Sequence, residues 1–529
     1  MNVKKLLSVL AFSMTLAVGS MMAQQPYGGC WHPENIINWT PENDPDAKFN
    51  RSTVPLQPRI NDDNIKANAT QFYDGQVSAC LTMHPSCSQT PAQGANNFLG
   101  YNPTYWQYMD VLVWWAGSAG EGIIIPPSAP VTDAAHLNGV KVLGQIFFPP
   151  TAFGGQSKWV YEVLTEENGT FPYAKKLYEI AAYYAFDGWF INEETLCNYN
   201  DKWRRFFTYY FELADKDGNS HHEIQWYDMS TSFTGKKASF EDDPRFSYFS
   251  NYGSPSGAAN NKKTFEGWGL GDSYFKQMYH GVECAQGGFT GNGSYFKSCF
   301  TQSGHNGSID LFNPEEGIWK QVVKDQLDTE DACGDVAYSK MKTVFSNESR
   351  FWTNAAADPS NINGWSGSQW PGLASAIAER STITTKPFVS SFSAGLGKHR
   401  FVDGTKLGTQ DWYHRGMQDI LPTWRWWIEN NSDGLKIDLD WDDAFNTGTS
   451  LKVTGTLTAQ ASHLTRLYKT KLAIANGDKF QLVYKGDIAN TEVKLATADN
   501  ASSFSTFSLA NATKQDVNGW TVATIDISS

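Results

Sequence analysis

Residues 183–195 read YYAFDGWFINEET. The apolar run Trp189, Phe190, Ile191 passes directly into Asn192, Glu193 and Glu194. Its length and aromatic content are those of a buried strand, and a buried strand can end in an amide and two carboxyls only where charge is tolerated. Side chains alternate across a strand, so Gly188, Phe190, Asn192 and Glu194 share one face. Asp187, Trp189, Ile191 and Glu193 share the other. The amide and one of the two acids therefore point the same way.

Seven further runs surround this one: QVSACLTMH (76–84), MDVLVWWAG (109–117), GVKVLGQIFF (139–148), EIQWYDMS (223–230), FSYFSNYG (246–253), QMYHGVEC (277–284) and GSIDLFN (307–313). Helical stretches lie between several of them, such as PYAKKLYEIAAYYA (172–185), whose apolar residues recur at intervals of three and four. Strand alternating with helix implies a parallel sheet, and eight such units predict a closed (β/α)8 barrel. Catalytic groups in that fold sit at the C-terminal ends of strands, which is where Asn192 and Glu194 fall.

The pattern changes near residue 385. KPFVSSFSAG (386–395), LKIDLDW (435–441), TSLKVTGTLT (449–458), TKLAIANG (470–477), KFQLVYKG (479–486), EVKLATA (492–498) and WTVATIDIS (520–528) are short alternating runs between Gly, Asn and Asp turns. They predict an antiparallel β-sandwich. The expected organisation is a signal peptide over 1–23, an irregular arm over 24–75, the barrel with a connecting segment over 76–384, and the β-sandwich over 385–529.

Lys4 and Lys5 precede the apolar run LLSVLAFSMTLAVG (6–19), and Ala23 closes a small-residue site. This is the layout of a secretory signal, so the protein is expected to be exported to the periplasm or the extracellular space. No later run approaches the roughly 20 apolar residues of a membrane helix, and no membrane span is expected. A formal net charge of −13 argues against a nucleic-acid partner, which needs clustered Lys and Arg. The 20 Trp, 23 Tyr and 32 Phe supply aromatic faces that stack on sugar rings or fill a core. Of the seven cysteines, Cys80 with Cys87 and Cys284 with Cys299 are the sequence-near candidates for a bridge. No CxxC or HExxH occurs, so neither a metal nor another cofactor is expected.

A glycosidase usually sets two carboxylates on opposite sides of the bond it cuts. Asn192 and Glu194 lie on one side, and only one is an acid. The exception is substrate assistance, in which the 2-acetamido oxygen of the sugar attacks its own anomeric carbon. Glu194 then protonates the departing oxygen and Asn192 holds the acetamido group, which restricts the substrate to N-acetylated sugars.

The chain resembles the family 85 glycoside hydrolases, endo-β-N-acetylglucosaminidases that cut the chitobiose core of N-glycans. NWTPENDPDAKFNRSTVPL (38–56), DAAHLNGVKVLGQI (133–146), FDGWFINEE (186–194), WYDMS (226–230) and DILPTWRWWI (419–428) are similar to successive segments of that family. The resemblance implies N-linked glycans as substrate, Asn192 and Glu194 as the catalytic pair, and Tyr227 as the phenol that supports the acetamido-derived oxazoline. Glu193 departs from the family, which commonly has an apolar residue there, so the helix-facing side of the strand needs a partner for it. After Asn251 and Tyr252 the chain reads GSPSG (253–257), where a Trp of the acceptor side is expected. Further substrate-binding candidates are His84, Trp115, Asn251 and Tyr252, all at strand ends. Trp114 and Trp115 are adjacent, so only one of them can line the mouth. The alternatives are a chitinase-like hydrolase, whose barrels carry Asp where this chain has Asn192, and a glycan-binding protein without catalysis. A monomer is expected.

Overall fold

The structure is a computed structural model that describes residues 26–60, 65–83, 92–96, 98, 100–284, 292–323, 338–488, 490–497 and 500–528. Eight parallel strands form the centre: β1 (Val77–Leu81), β2 (Val111–Trp114), β3 (Lys141–Phe148), β4 (Gly188–Glu193), β5 (Glu223–Tyr227), β6 (Phe246–Ser250), β7 (Met278–Glu283) and β8 (Ser308–Phe312). Each pairs with its neighbours in sequence, and β8 pairs with β1, so the barrel closes. All eight coincide with the runs expected from the sequence.

The helices form where the apolar spacing places them. Helix α1 (Ala129–Leu137) precedes β3, α2 (Pro172–Tyr184) precedes β4, and α3 (Asp201–Lys216) follows it. Proline at the start of α2 has no amide to leave unsatisfied, and the helix stops at Ala185 in the left-handed region at φ 60°. Asn200 caps α3 by accepting the Lys202 and Trp203 amides at 2.9 and 3.4 Å. Trp203, Phe206, Phe207, Tyr210, Phe211 and Ala214 make its buried stripe. That stripe packs with Trp189, Ile191, Ile224 and Trp226, the outward side chains of β4 and β5. The inward face is a separate cluster, with Cys80, Val111, Val113, Leu143, Phe190, Tyr227 and Phe249 fully or nearly buried. The period-two alternation read from β4 is thus the division between two cores.

Beyond the barrel lie antiparallel ladders of two or three strands. Lys436–Asp440 pairs with Ser450–Thr454, Lys479–Tyr484 with Trp520–Asp526, and Glu492–Thr497 with Asn500–Ser508. Two expected strands are corrected: residues 470–477 form no ladder, although the Lys471 amide bonds the Ile383 carbonyl at 2.9 Å, and of the run 386–395 only Ala394 and Gly395 lie in a strand, Ala394–Gly397. Alternation alone cannot supply the partner that a strand needs. Strand Trp412–Gln418 packs on α1, and Ala394, Leu396, Tyr413, Leu439 and Trp441 join the same hydrophobic core as β1, β2 and β8.

The cysteine pairing is also corrected. Cys80, Cys197, Cys284 and Cys299 are unbridged, and Cys87 lies outside the described residues. Cys80 points into the barrel and donates to Asp310 Oδ1 at 3.3 Å, while Cys284 and Cys299 sit in the core as small apolar side chains. Among the described residues, no helix is long and apolar enough to cross a membrane.

Candidate active site

The C-terminal end of β4 is where amide, acid and phenol meet. Register pairs Asn192 with Phe147 of β3 on one side and with Tyr227 of β5 on the other. Asn192 is 1% exposed. Its Nδ2 donates to Glu194 Oε1 at 3.1 Å, whereas its Oδ1 is buried with no hydrogen-bond partner. A buried carbonyl oxygen left unpaired costs about 1–3 kcal/mol, and such exceptions call for a functional explanation. Burial, reinforced by the charge of Glu193, raises the Glu194 carboxyl above its ordinary value, against the Asn192 N–H that stabilises its anion. Tyr227 is 7% exposed, and burial together with the Glu194 charge pushes its phenol well up, so that it remains a proton donor.

Aromatic rings line the mouth around these groups. Trp115 has ring centroids 5.6 Å from Phe147, 6.0 Å from Phe190 and 5.0 Å from Phe312. Tyr252 lies 6.0 Å from Phe249 and 5.9 Å from Phe312, and Tyr227 lies 4.9 Å from Phe249. Trp115 is the tryptophan of the pair that faces the mouth; Trp114 is packed in the core on the other side. The sequence reading passed over Phe147, Phe249 and Phe312, although each stands at the end of an expected strand with inward parity. Asn251 takes a different place: its Nδ2 donates to the Met229 carbonyl at 2.8 Å and its Oδ1 accepts the Tyr252 amide at 2.7 Å. The Nδ2 bond ties the loop after β6 to the loop after β5, while the Oδ1 bond is local to its own loop. His84 lies outside the described residues.

The second acid of the motif is accounted for. Glu193 is fully buried and accepts the backbone N–H of Leu196 at 2.6 Å and of Asn198 at 3.1 Å. The turn that follows β4 is therefore its partner. Asp228, next to Tyr227, accepts Trp226 Nε1 at 3.0 Å and the Tyr248 hydroxyl at 3.0 Å, and pairs with Lys236 at 2.8 Å. These bonds fix the strand end that carries the phenol. Among the described residues, no cluster of His, Cys, Asp and Glu has the arrangement of a metal site.

The profile of glycosyl hydrolase family 85 matches residues 83–400, more than half of the chain. The chain belongs to that family. It is 23% identical over 446 residues to cytosolic endo-β-N-acetylglucosaminidase 1 of Arabidopsis thaliana, covering 81% of this chain and 57% of the relative. It is 25% identical over 428 residues to the cytosolic endo-β-N-acetylglucosaminidase of Mus musculus, covering 78% and 52%. The chain thus spans little more than half the length of these curated relatives. The glycoside hydrolase domain of Endo-D from Streptococcus pneumoniae superposes with a TM-score of 0.76 at 26% identity, over 95% of this chain and 78% of that one.

These family 85 relatives correct the expectation of export. All six curated proteins that match are named as cytosolic enzymes. Residues 1–23, on which export rested, lie outside the described residues.

Proposed function

We propose that this family 85 protein is an endo-β-N-acetylglucosaminidase that hydrolyses the β-1,4 bond between the two N-acetylglucosamines of the N-glycan core. The observation that carries this reading is the buried, unpartnered Oδ1 of Asn192 beside the acid Glu194. An acetamido group offers what that oxygen lacks, an N–H donor. With the N–H held there, the acetamido carbonyl oxygen is free to attack the anomeric carbon from below. Glu194, whose carboxyl burial raises above its ordinary value, gives its proton to the departing oxygen. The Tyr227 phenol supports the developing oxazoline, and the rings of Trp115 and Tyr252 offer stacking faces to the sugar. Glu194, now an anion, then takes a proton from the incoming water. Two displacements at one carbon return the original anomeric configuration.

Because the attacking group must belong to the sugar on the non-reducing side of the bond, the protein substrate keeps one N-acetylglucosamine on its Asn. Mass spectrometry of a denatured high-mannose glycoprotein after incubation checks this. Each site is expected to gain the mass of a single N-acetylglucosamine over the bare peptide. Recovery of a deamidated, sugar-free Asn overturns the reading.

A further inference from the structure

Glu193 and Glu194 are adjacent carboxyls in very different surroundings. Glu193 is wholly buried behind the catalytic strand, where Oε1 accepts the Leu196 amide at 2.6 Å, Oε2 accepts the Asn198 amide at 3.1 Å, and the Thr195 amide adds a third donor. Glu194 has one donor, Asn192 Nδ2 at 3.1 Å. Converging backbone N–H groups hold an anion. Burial raises the Glu193 carboxyl as it does that of Glu194, but three N–H donors oppose the rise at Glu193 and one at Glu194, so when the pair carries a single proton the donor count favours the charge on Glu193 and the proton on Glu194. Of the remaining groups, Asp228 opposes this order, because its charge raises Glu193. Phe148 pairs with Glu193 in register on the β3 side. On the β5 side, Asp228 adds negative charge and its cation, Lys236, is engaged with it at 2.8 Å. The Cys197 thiol and the Tyr227 phenol, which also lie near the two acids, are both held neutral by burial and by that negative charge.

We propose that Glu193 is a positioning residue for the reaction: its buried charge keeps Glu194 protonated for the first step, and its carboxylate folds the turn that borders the acid. The inference rests on the role of Glu194 proposed above. The turn is bound closely to the site. It places Cys197 in the left-handed region at φ 48°, sets Cys197 Sγ 3.9 Å from Met229 Sδ on the neighbouring loop, and lets Thr195 Oγ1 donate to the Pro149 carbonyl at 2.7 Å. Gln in its place has nearly the same shape and removes the charge, but it keeps one of the two acceptor oxygens that the turn's amides use.

The experiment is the pH dependence of kcat/KM on a high-mannose glycopeptide for the wild type, Glu193→Gln and Glu194→Gln, repeated with a synthetic glycan oxazoline. On the glycopeptide, Glu193→Gln is expected to move the alkaline limb down by roughly one pH unit, with the plateau kept within a few-fold. On the oxazoline, where Glu194 must be ionised to activate water, the acid limb is expected to move down by the same amount, so that the variant is faster than wild type at low pH. A turn that is only structural lowers both reactions and leaves both limbs in place; that result overturns the proposal. Glu194→Gln separates the two levels of the argument. A wild-type profile in that variant removes Glu194 as the acid, whereas loss of its alkaline limb together with an unmoved Glu193→Gln profile removes only the role of Glu193.

Discussion

At the scale of the residue, the proposed mechanism divides the work between an amide that binds and an acid that moves protons, and the two are separable by substrate. Asn192→Ala loses the oxygen that holds the acetamido N–H but leaves the Glu194 carboxyl in place. It is expected to be almost inactive on an intact glycopeptide and still to consume a glycan oxazoline, which enters after the step that Asn192 supports. Glu194→Ala is expected to lose about 10²-fold or more on both substrates, the usual contribution of positioned acid–base catalysis. Rates for both variants on both substrates check this, and equal loss in Asn192→Ala on the two substrates counts against substrate assistance. The pair was legible in the sequence because a strand's alternation fixes which neighbours share a face. The engagement of Asn251 was not, because the carbonyl it binds belongs to Met229, 22 positions away on another loop.

At the scale of the element, an N-terminal strap is bonded to α1, which in turn reaches the residue before β4. Asp133 of α1 accepts the Ser52 hydroxyl at 2.7 Å and the Thr53 and Val54 amides at 2.8 and 3.1 Å. His136 Nδ1 lies 2.7 Å from the Val54 carbonyl and its Nε2 lies 2.8 Å from Asp187 Oδ2. Burial by itself lowers the His136 pKa, but the hydrogen bond and charge of Asp187 outweigh it and raise the imidazole above 6.5. Burial likewise opposes the Asp187 anion, yet His136 and the Val142 amide hold that carboxyl below 3.8. A raised histidine stabilises fully below its unfolded value and loses the contribution as pH climbs through the folded one. A lowered aspartate stabilises above its unfolded value and loses the contribution as pH falls through the folded one. The pair therefore contributes most between 3.8 and 6.5. His136→Gln is expected to cost roughly 3–5 kcal/mol at pH 6, as breaking a buried pair does, and the cost shrinks toward pH 9. Thermal melts of both proteins across that range check it; a constant difference refutes the linkage.

At the scale of the whole molecule, the barrel and the β-rich region share one core. Trp441 is 2% exposed and its ring lies 4.9 Å from Phe345 of the helix Tyr338–Thr353, while Arg425 sits 3.7 Å above the Tyr105 ring and donates to Thr104 Oγ1 at 3.1 Å. Glu379 is likewise buried between the two parts, accepting the Tyr108 hydroxyl at 2.8 Å, Gln71 Nε2 at 2.9 Å and Trp424 Nε1 at 3.1 Å. Trp441→Ala is expected to lower stability by about 3–5 kcal/mol, the range for a buried tryptophan, with kcat/KM at 25 °C unchanged because Trp441 packs in the outer core and not in the inward cluster that lines the mouth. Denaturant titration and steady-state kinetics on one preparation check both halves. The sequence by itself determined the eight strands, their order and the inward parity of Asn192 and Glu194, because periodicity and alternation are local properties of a chain. Only the tertiary structure decided which tryptophan faces the mouth, what satisfies Glu193, that Cys80, Cys284 and Cys299 are unbridged and that a core spans both regions. Each of those depends on a partner distant in sequence, and no local pattern encodes the identity of such a partner.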